Sequence, residues 1–171
     1  MKKMVAASLD SESGRVQDFS LDGYGSLEPI YEGAETYVFR AKAVSTGVPV
    51  ILKCTKNEYP TQRELGRLRR EFLILKQLPH DCGPAVISLE ERGRGLVLVM
   101  ADRGWPTLRE VIDAGVLDVQ STLELAISFV NTLALVHAEG IVHKDITPRN
   151  VLVDQANWSV RLIDFGISAR I

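Results

Sequence analysis

Three residues in the last third of the sequence, Asp145, Asn150 and Asp164, are of types that hold a hard divalent cation or act on a hydroxyl proton. Phosphoryl transfer from ATP needs both functions. Mg2+ must be held by carboxylate and amide oxygens, and a carboxylate must lie near the attacking hydroxyl. The three residues fall in His143-Lys144-Asp145-Ile146-Thr147-Pro148-Arg149-Asn150 and Asp164-Phe165-Gly166, each at the end of a β-like run that can aim it. Upstream, Lys53 closes another such run and could neutralise nucleotide phosphates. Glu71, on a predicted helix, could hold that lysine in place.

The elements that must position these residues are legible from periodicity and caps. Tyr37 to Ala43 alternates apolar and polar residues, Ser45-Thr46-Gly47 turns the chain, and Val48 to Lys53 forms a second strand. A helix opens at Pro60-Thr61, with Thr61 and Glu64 at capping-box spacing. Leu65, Leu68, Phe72 and Leu75 form its buried stripe, and Pro79 ends it. Ala85 to Leu89 and Leu96 to Met100 flank Gly93-Arg94-Gly95 as a hairpin. A short helix starts near Thr107, spaced from Glu110 as a second capping box. A long helix is predicted from Ser121 to Glu139, with Ser121 and Glu124 as its cap. Being apolar on most faces, it is expected to be buried nearly all round. Val151 to Val153 and Val160 to Ile163 bracket a tight connection.

With these elements in place, the chain resembles a eukaryotic-type serine/threonine protein kinase domain. That family's catalytic loop reads His-Arg-Asp, four residues, Asn, and is matched by His143-Lys144-Asp145 and Asn150. Asp-Phe-Gly is matched at 164 to 166, the Val-Ala-Ile-Lys strand as Val50-Ile51-Leu52-Lys53, and the helix glutamate as Glu71. The resemblance implies an α+β, kinase-like fold: an N-lobe of antiparallel sheet plus one helix at about 27–101, a hinge at about 101–104, and the start of a helical C-lobe from about 105. It implies ATP and Mg2+ as cofactors and a protein substrate, either a signalling protein or other domains of the same polypeptide. Asp145 would accept the substrate's hydroxyl proton, and Asn150 and Asp164 would ligate Mg2+. Lys53, paired with Glu71, would contact phosphates. Val38, Ile51 and Leu152 would enclose adenine, with Met100 as gatekeeper and Ala101 to Arg103 as hinge. Leu75, Phe165 and His143 would stack in an apolar column. Tyr31-Glu32-Gly33, Lys56 to Pro60 and His143 to Ile146 are similar to the kinase domains at the N-terminus of large bacterial signalling proteins that continue into ATPase and sensor modules.

The departures from the family pattern bear on activity. Of the three glycines expected in the phosphate-covering loop only Gly33 is present, flanked by Tyr31 and Thr36, so a stiffer loop is expected. Ile51 replaces a small residue and narrows the adenine pocket. Thr147 replaces a lysine of serine/threonine kinases, while Arg149 stands where tyrosine kinases keep an arginine and could reach the γ-phosphate. The family pattern continues beyond Asp-Phe-Gly, whereas this sequence stops at Ile171, so the isolated chain is expected to be inactive and marginally stable. Two rival readings are an inactive nucleotide-binding interaction module and a small-molecule phosphotransferase of the antibiotic-kinase type.

Plainer readings stand beside these. Asp145 and Asn150 alone suit a turn, Lys53 could end a strand in solvent, and Arg67 could pair with Glu71 on the helix surface. Gly33 alone could mark a bulge, and Arg67, Arg69 and Arg70 a solvated face. His143 reads as packed and structural, His80 and His137 as surface or helix-end residues. The net charge of −2 gives no reason to expect nucleic acid or an anionic membrane as partner. Two cysteines, Cys54 and Cys82, make no disulfide framework, so a reduced, cytoplasmic protein is expected. Residues 1 to about 26 read as a flexible polar leader, with too short an apolar stretch for a signal peptide. No window approaches the apolar length of a membrane span, so no insertion is expected.

Overall fold

Alternating burial along Thr36–Ala43 and near-continuous burial along Gly95–Ala101 organise the first half of the chain. The computed structural model describes residues 21–170. It divides into two units, one comprising the residues up to Arg69 with Val86–Asp102, the other Arg70–Ala85 with the residues from Arg103 onward. In the first unit, β1 (Tyr24–Glu32), β2 (Thr36–Ala43), β3 (Pro49–Thr55), β4 (Val86–Arg92) and β5 (Gly95–Ala101) form an antiparallel sheet in the order β1-β2-β3-β5-β4.

Register assigns side chains to faces, because directly paired residues share a face and neighbours along a strand do not. Phe39 pairs with Leu52, which pairs with Val99, and Tyr37 pairs with Cys54, which pairs with Val97. These residues, with Ala41, Val50 and Leu21, form one buried cluster. The opposite face carries Val38 paired with Lys53 and Ile51 paired with Met100. Burial raises the Cys54 thiol pKa far above its ordinary value.

Strand structure begins at Tyr24, ahead of the boundary expected at residue 27, and Leu21 is buried. The earlier part of the expected leader lies outside the described residues. β1 escaped the sequence pattern because it pairs with β2 through two register shifts and contains Pro29, which interrupts alternation. The helix α1 (Gln62–Gln77) starts as expected: the Glu64 amide donates to Thr61 Oγ1 at 3.2 Å, and the Thr61 amide donates to Glu64 Oε2 at 2.5 Å. Those bonds lower the Glu64 pKa.

The second unit holds α2 (Leu108–Asp113), α3 (Val119–Ala138), β6 (Ile141–Val142), β7 (Val151–Asp154), β8 (Ser159–Leu162) and β9 (Ala169–Arg170). β7 pairs with β8, and β6 with β9. α2 has the expected Thr107–Glu110 capping box. α3 differs from expectation in three ways. Its capping box is Asp118 with Ser121, because the helix begins at Val119 rather than at Ser121. Burial is confined to Ser121, Leu125, Thr132 and Val136, while Leu123, Ile127, Val130 and Leu135 are exposed. By length and composition α3 could also span a membrane, contrary to the expectation that no window does. It nevertheless packs on β8, where the Val160 amide donates to Ser128 Oγ at 3.0 Å and Thr132 Oγ1 donates to the Val160 carbonyl at 3.3 Å.

Candidate functional site

The predicted site residues fall in both units, and each half has its own construction. In the first, Val38, Ile51, Lys53 and Met100 share one face of the sheet. Lys53 is 8% exposed and β3 runs on to Thr55, so the reading of a lysine ending a strand in solvent is excluded. Ala101 ends β5 opposite Val50, on the core face. The next residue, Asp102, accepts a hydrogen bond from Arg40 Nε at 2.6 Å, and its amide donates to the Pro49 carbonyl at 3.3 Å. The first residues of the expected hinge are thereby tied to β2 and to the start of β3.

Gly33 opens the three-residue turn between β1 and β2, where its amide donates to the Thr36 carbonyl at 2.8 Å. A Cβ there would lie 3.1 Å from Tyr31 Cε1 and 3.5 Å from the Thr36 carbonyl, so the glycine permits a close approach within the turn. Arg67 does not spend its charge on an ordinary helix-surface partner. Its guanidinium pairs with Glu35 of this turn, leaving the exposed Arg69 and Arg70 as the solvated basic face.

In the second unit the loop from His143 to Asn150 is fixed at nearly every residue that matters. His143 is 1% exposed, and its ring meets that of Phe165 edge-on at 4.6 Å between centroids. Its Nδ1 lies 3.3 Å from the Asp145 amide and its Nε2 lies 2.9 Å from the Ile163 carbonyl. An amide can only donate and a carbonyl only accept, so Nδ1 is the acceptor and Nε2 carries the hydrogen. The imidazole is a packed, hydrogen-bonded strut, as the sequence suggested. Ser168 Oγ donates to the His143 carbonyl at 3.0 Å.

Asp145 and Asn150 meet directly. Asn150 Nδ2 donates to the Asp145 carbonyl and to Asp145 Oδ2, both at 2.9 Å, at the end of a single 3-10 turn, Pro148–Asn150. The Ile163 amide donates to the Asn150 carbonyl at 3.0 Å, so the residue before Asp164 is bonded to both ends of the loop. Asp164 and Lys144 have φ of 66° and 68°, the left-handed region that non-glycine residues seldom occupy. Such strain persists where surrounding bonds enforce it, which is common at functional sites. Here the enforcing bonds are those of His143, Asn150 and Ile163.

The remaining predicted residues are placed as follows. Glu71 is 2% exposed on α1, and Arg149 is exposed on the 3-10 turn. Leu152 bridges to Thr107 at the start of α2. Arg103 is exposed with its guanidinium 5.6 Å from the Trp105 ring, whose other cationic neighbour is the buried Arg161 at 4.8 Å. Burial, then repulsion from Arg103, lowers the Arg161 pKa. Gly83 brings Leu75 and Phe165 close, since a Cβ there would lie 2.8 Å from Leu75 Cδ2 and 3.8 Å from Phe165 Cε2. Sequence reasoning missed the pairing of Arg161 with Asp81, of Arg40 with Asp102, and of Glu32 and Glu35 with Lys56 and Arg67. These are long-range pairs with no local signature.

The donor set suits Mg2+ held jointly with phosphates. With Nδ2 of Asn150 committed to Asp145, the amide oxygen is the atom it could offer a cation, and the Asp164 carboxylate is of a type that could join it. Among the described residues, no group of three or more His, Cys, Asp or Glu could hold a metal unaided.

The five-stranded sheet bearing a buried lysine in one unit, and the loop joining Asp145 to Asn150 in the other, are features of a protein-kinase-like fold. The chain belongs to the protein kinase domain family, whose model matches residues 24–171. It is 29% identical over 152 residues to the serine/threonine-protein kinase pkn2 of Myxococcus xanthus, covering 86% of this chain and 18% of that protein. It is 31% identical over 163 residues to a probable serine/threonine-protein kinase of Streptomyces coelicolor, covering 91% of this chain and 23% of that one. A probable myosin light chain kinase of Dictyostelium discoideum is 26% identical over 160 residues, covering 91% and 41%. The chain thus spans well under half the length of these relatives.

Proposed function

We propose that the chain is the nucleotide-binding and catalytic-loop portion of a kinase domain that transfers the ATP γ-phosphoryl group to protein serine or threonine hydroxyls. The observation that carries this reading is the Asp145–Asn150 hydrogen bond inside a loop locked by His143. It holds the Asp145 carboxylate at a fixed place to orient and deprotonate a hydroxyl, and directs the Asn150 amide oxygen towards a cation. Bound Mg2+–ATP would supply the phosphoryl group, and its cation would offset the charge on the phosphates. Asn150 and Asp164 would hold the metal, Lys53 the phosphates, and Val38, Ile51, Met100 and Leu152 the adenine. Glu71 would orient Lys53, and Arg149 offers a cation towards the γ-phosphate. The substrate would be a signalling protein or a neighbouring domain of the same polypeptide, and the site of action the cytoplasm.

One observation favours a second reading, a module that binds nucleotide and acts by contact: the turn expected to cover the phosphates keeps only Gly33 of three glycines. Incubating the full-length protein with radiolabelled ATP and Mg2+, then identifying the labelled amino acids, separates the two. Phosphoserine or phosphothreonine is expected. Nucleotide binding without incorporation would replace the enzyme reading with the contact reading.

A further inference from the structure

Gly33-Ala34-Glu35 has lost most of the backbone freedom of a glycine-rich loop, yet it is held from both sides by charge. On one side Glu32 Oε1 accepts from Lys56 Nζ at 2.5 Å. On the other, the Glu35 carboxylate pairs with Arg67 of α1. The Lys56 amide donates to the Glu35 carbonyl at 2.9 Å, and its ammonium lies 5.1 Å over the Tyr37 ring. We propose that Lys56 and Arg67 are positioning residues that fix the β1–β2 turn against β3 and α1, doing with ion pairs what glycine flexibility cannot do here. The functional part of this inference rests on the proposed kinase reading, in which the turn faces the nucleotide's phosphates.

Each pair alone is partly exposed and weak: the side chains are 24% and 39% exposed for Lys56 and Glu32, and 31% and 32% for Arg67 and Glu35. Their effect comes from convergence, since one residue flanking the three-residue turn is tied to Lys56, just past the end of β3, and the residue closing it is tied to α1. The pairs also neutralise Glu32 and Glu35, two carboxylates that would otherwise repel a triphosphate close by. The hydrogen bond that Lys56 donates to Glu32 raises the lysine's pKa, so it keeps its charge at neutral pH. Arg67 lies one helical turn before Glu71, so the tie also couples the turn to the helix that carries the proposed partner of Lys53.

The test is backbone hydrogen exchange at residues 33–36 without nucleotide, followed by Mg2+–ATP affinity on the same full-length samples. Wild type is compared with Lys56→Gln, Arg67→Gln and the charge-swapped double variant Glu35→Arg with Arg67→Glu, in low salt and in 0.5 M KCl. Each single substitution, and salt on the wild type, should speed turn exchange and weaken nucleotide binding by about two- to fivefold, leaving exchange in β3 and β5 unchanged. The swapped pair should recover most of both losses. Wild-type exchange in both single variants, or a swapped pair no better than the singles, would overturn the proposal. Faster exchange with unchanged affinity would remove the positioning role. A wild type that binds no Mg2+–ATP, yet shows the charge- and salt-dependent exchange, would sink the kinase reading while leaving the tied turn standing.

Discussion

The loop from His143 to Asn150 and the turn from Gly33 to Glu35 are both short irregular connections, but they are held by different physics. The loop is fixed by neutral hydrogen bonds around a buried imidazole and by packing on Phe165. The turn is fixed at the surface by two ion pairs and two backbone hydrogen bonds. Buried bonds are barely screened by salt and costly to leave unmade, whereas exposed pairs are screened and worth little singly. If the loop aims a carboxylate, as proposed, it gains the needed rigidity by burial. A turn that covers a nucleotide, as proposed, would admit and release it more readily when held by interactions that break easily.

The largest effect should come from breaking the loop's strut. His143→Ala should cost about 2–4 kcal/mol, because it empties a core position and leaves the Ile163 carbonyl without its donor. Urea unfolding gives the number, and a loss under about 1 kcal/mol would show that the loop holds itself. Next, Gly83→Ala should cost about 1–3 kcal/mol by overpacking. Its Cβ would sit 2.8 Å from Leu75 Cδ2 and 3.2 Å from the Leu162 carbonyl, on the side of the unit that supports Phe165.

Thr61→Ala removes the cap of α1, the helix to which the turn is tied, and should cost about 1 kcal/mol at pH 7. The Glu64 half of that box adds a pH dependence. Its folded pKa lies below the ordinary value of 4.5, so its contribution is present above that value and drains away as pH falls through the folded pKa. Denaturation midpoints of wild type and Glu64→Ala should accordingly converge as pH falls below the ordinary carboxylate value of 4.5. A gap that widens on acidification would contradict the assigned direction.

Smallest of all should be Gly33→Ala. Gly33 lies outside the left-handed region, and the atom nearest a new Cβ belongs to the exposed Tyr31. The change should fall within about 0.5 kcal/mol by thermal melting, well short of what a glycine-dependent loop would lose.

Much of this arrangement was legible in the sequence because it is local. The strands around Lys53, the Thr61–Glu64 and Thr107–Glu110 boxes, and the β7–β8 hairpin each leave a pattern within a few residues. The misreadings also have local causes. Ser121 and Glu124 imitate a capping box, but Asp118 forms the real one because Ser121 answers it from the third helical position. The apolar composition of α3 suggested burial all round, yet Leu123, Ile127 and Val130 face outward, since only the tertiary packing decides which apolar face is covered. Glu32 with Lys56 and Glu35 with Arg67 could not be read at all. Sequence spacing carries no information about pairs joined only by the sheet and by α1.

The central claim is that Asp145 acts on the hydroxyl while Asp164, with Asn150, holds the metal. It is tested most directly by titrating Mg2+–ATP against full-length wild type, Asp145→Asn and Asp164→Ala, with phosphate transfer followed in the same samples. Asp145→Asn should bind Mg2+–ATP as wild type does and lose turnover by roughly a hundredfold or more, and Asp164→Ala should lose the metal-dependent part of its affinity. Comparable turnover by Asp145→Asn, or equal metal-dependent affinity in Asp164→Ala, would contradict the account.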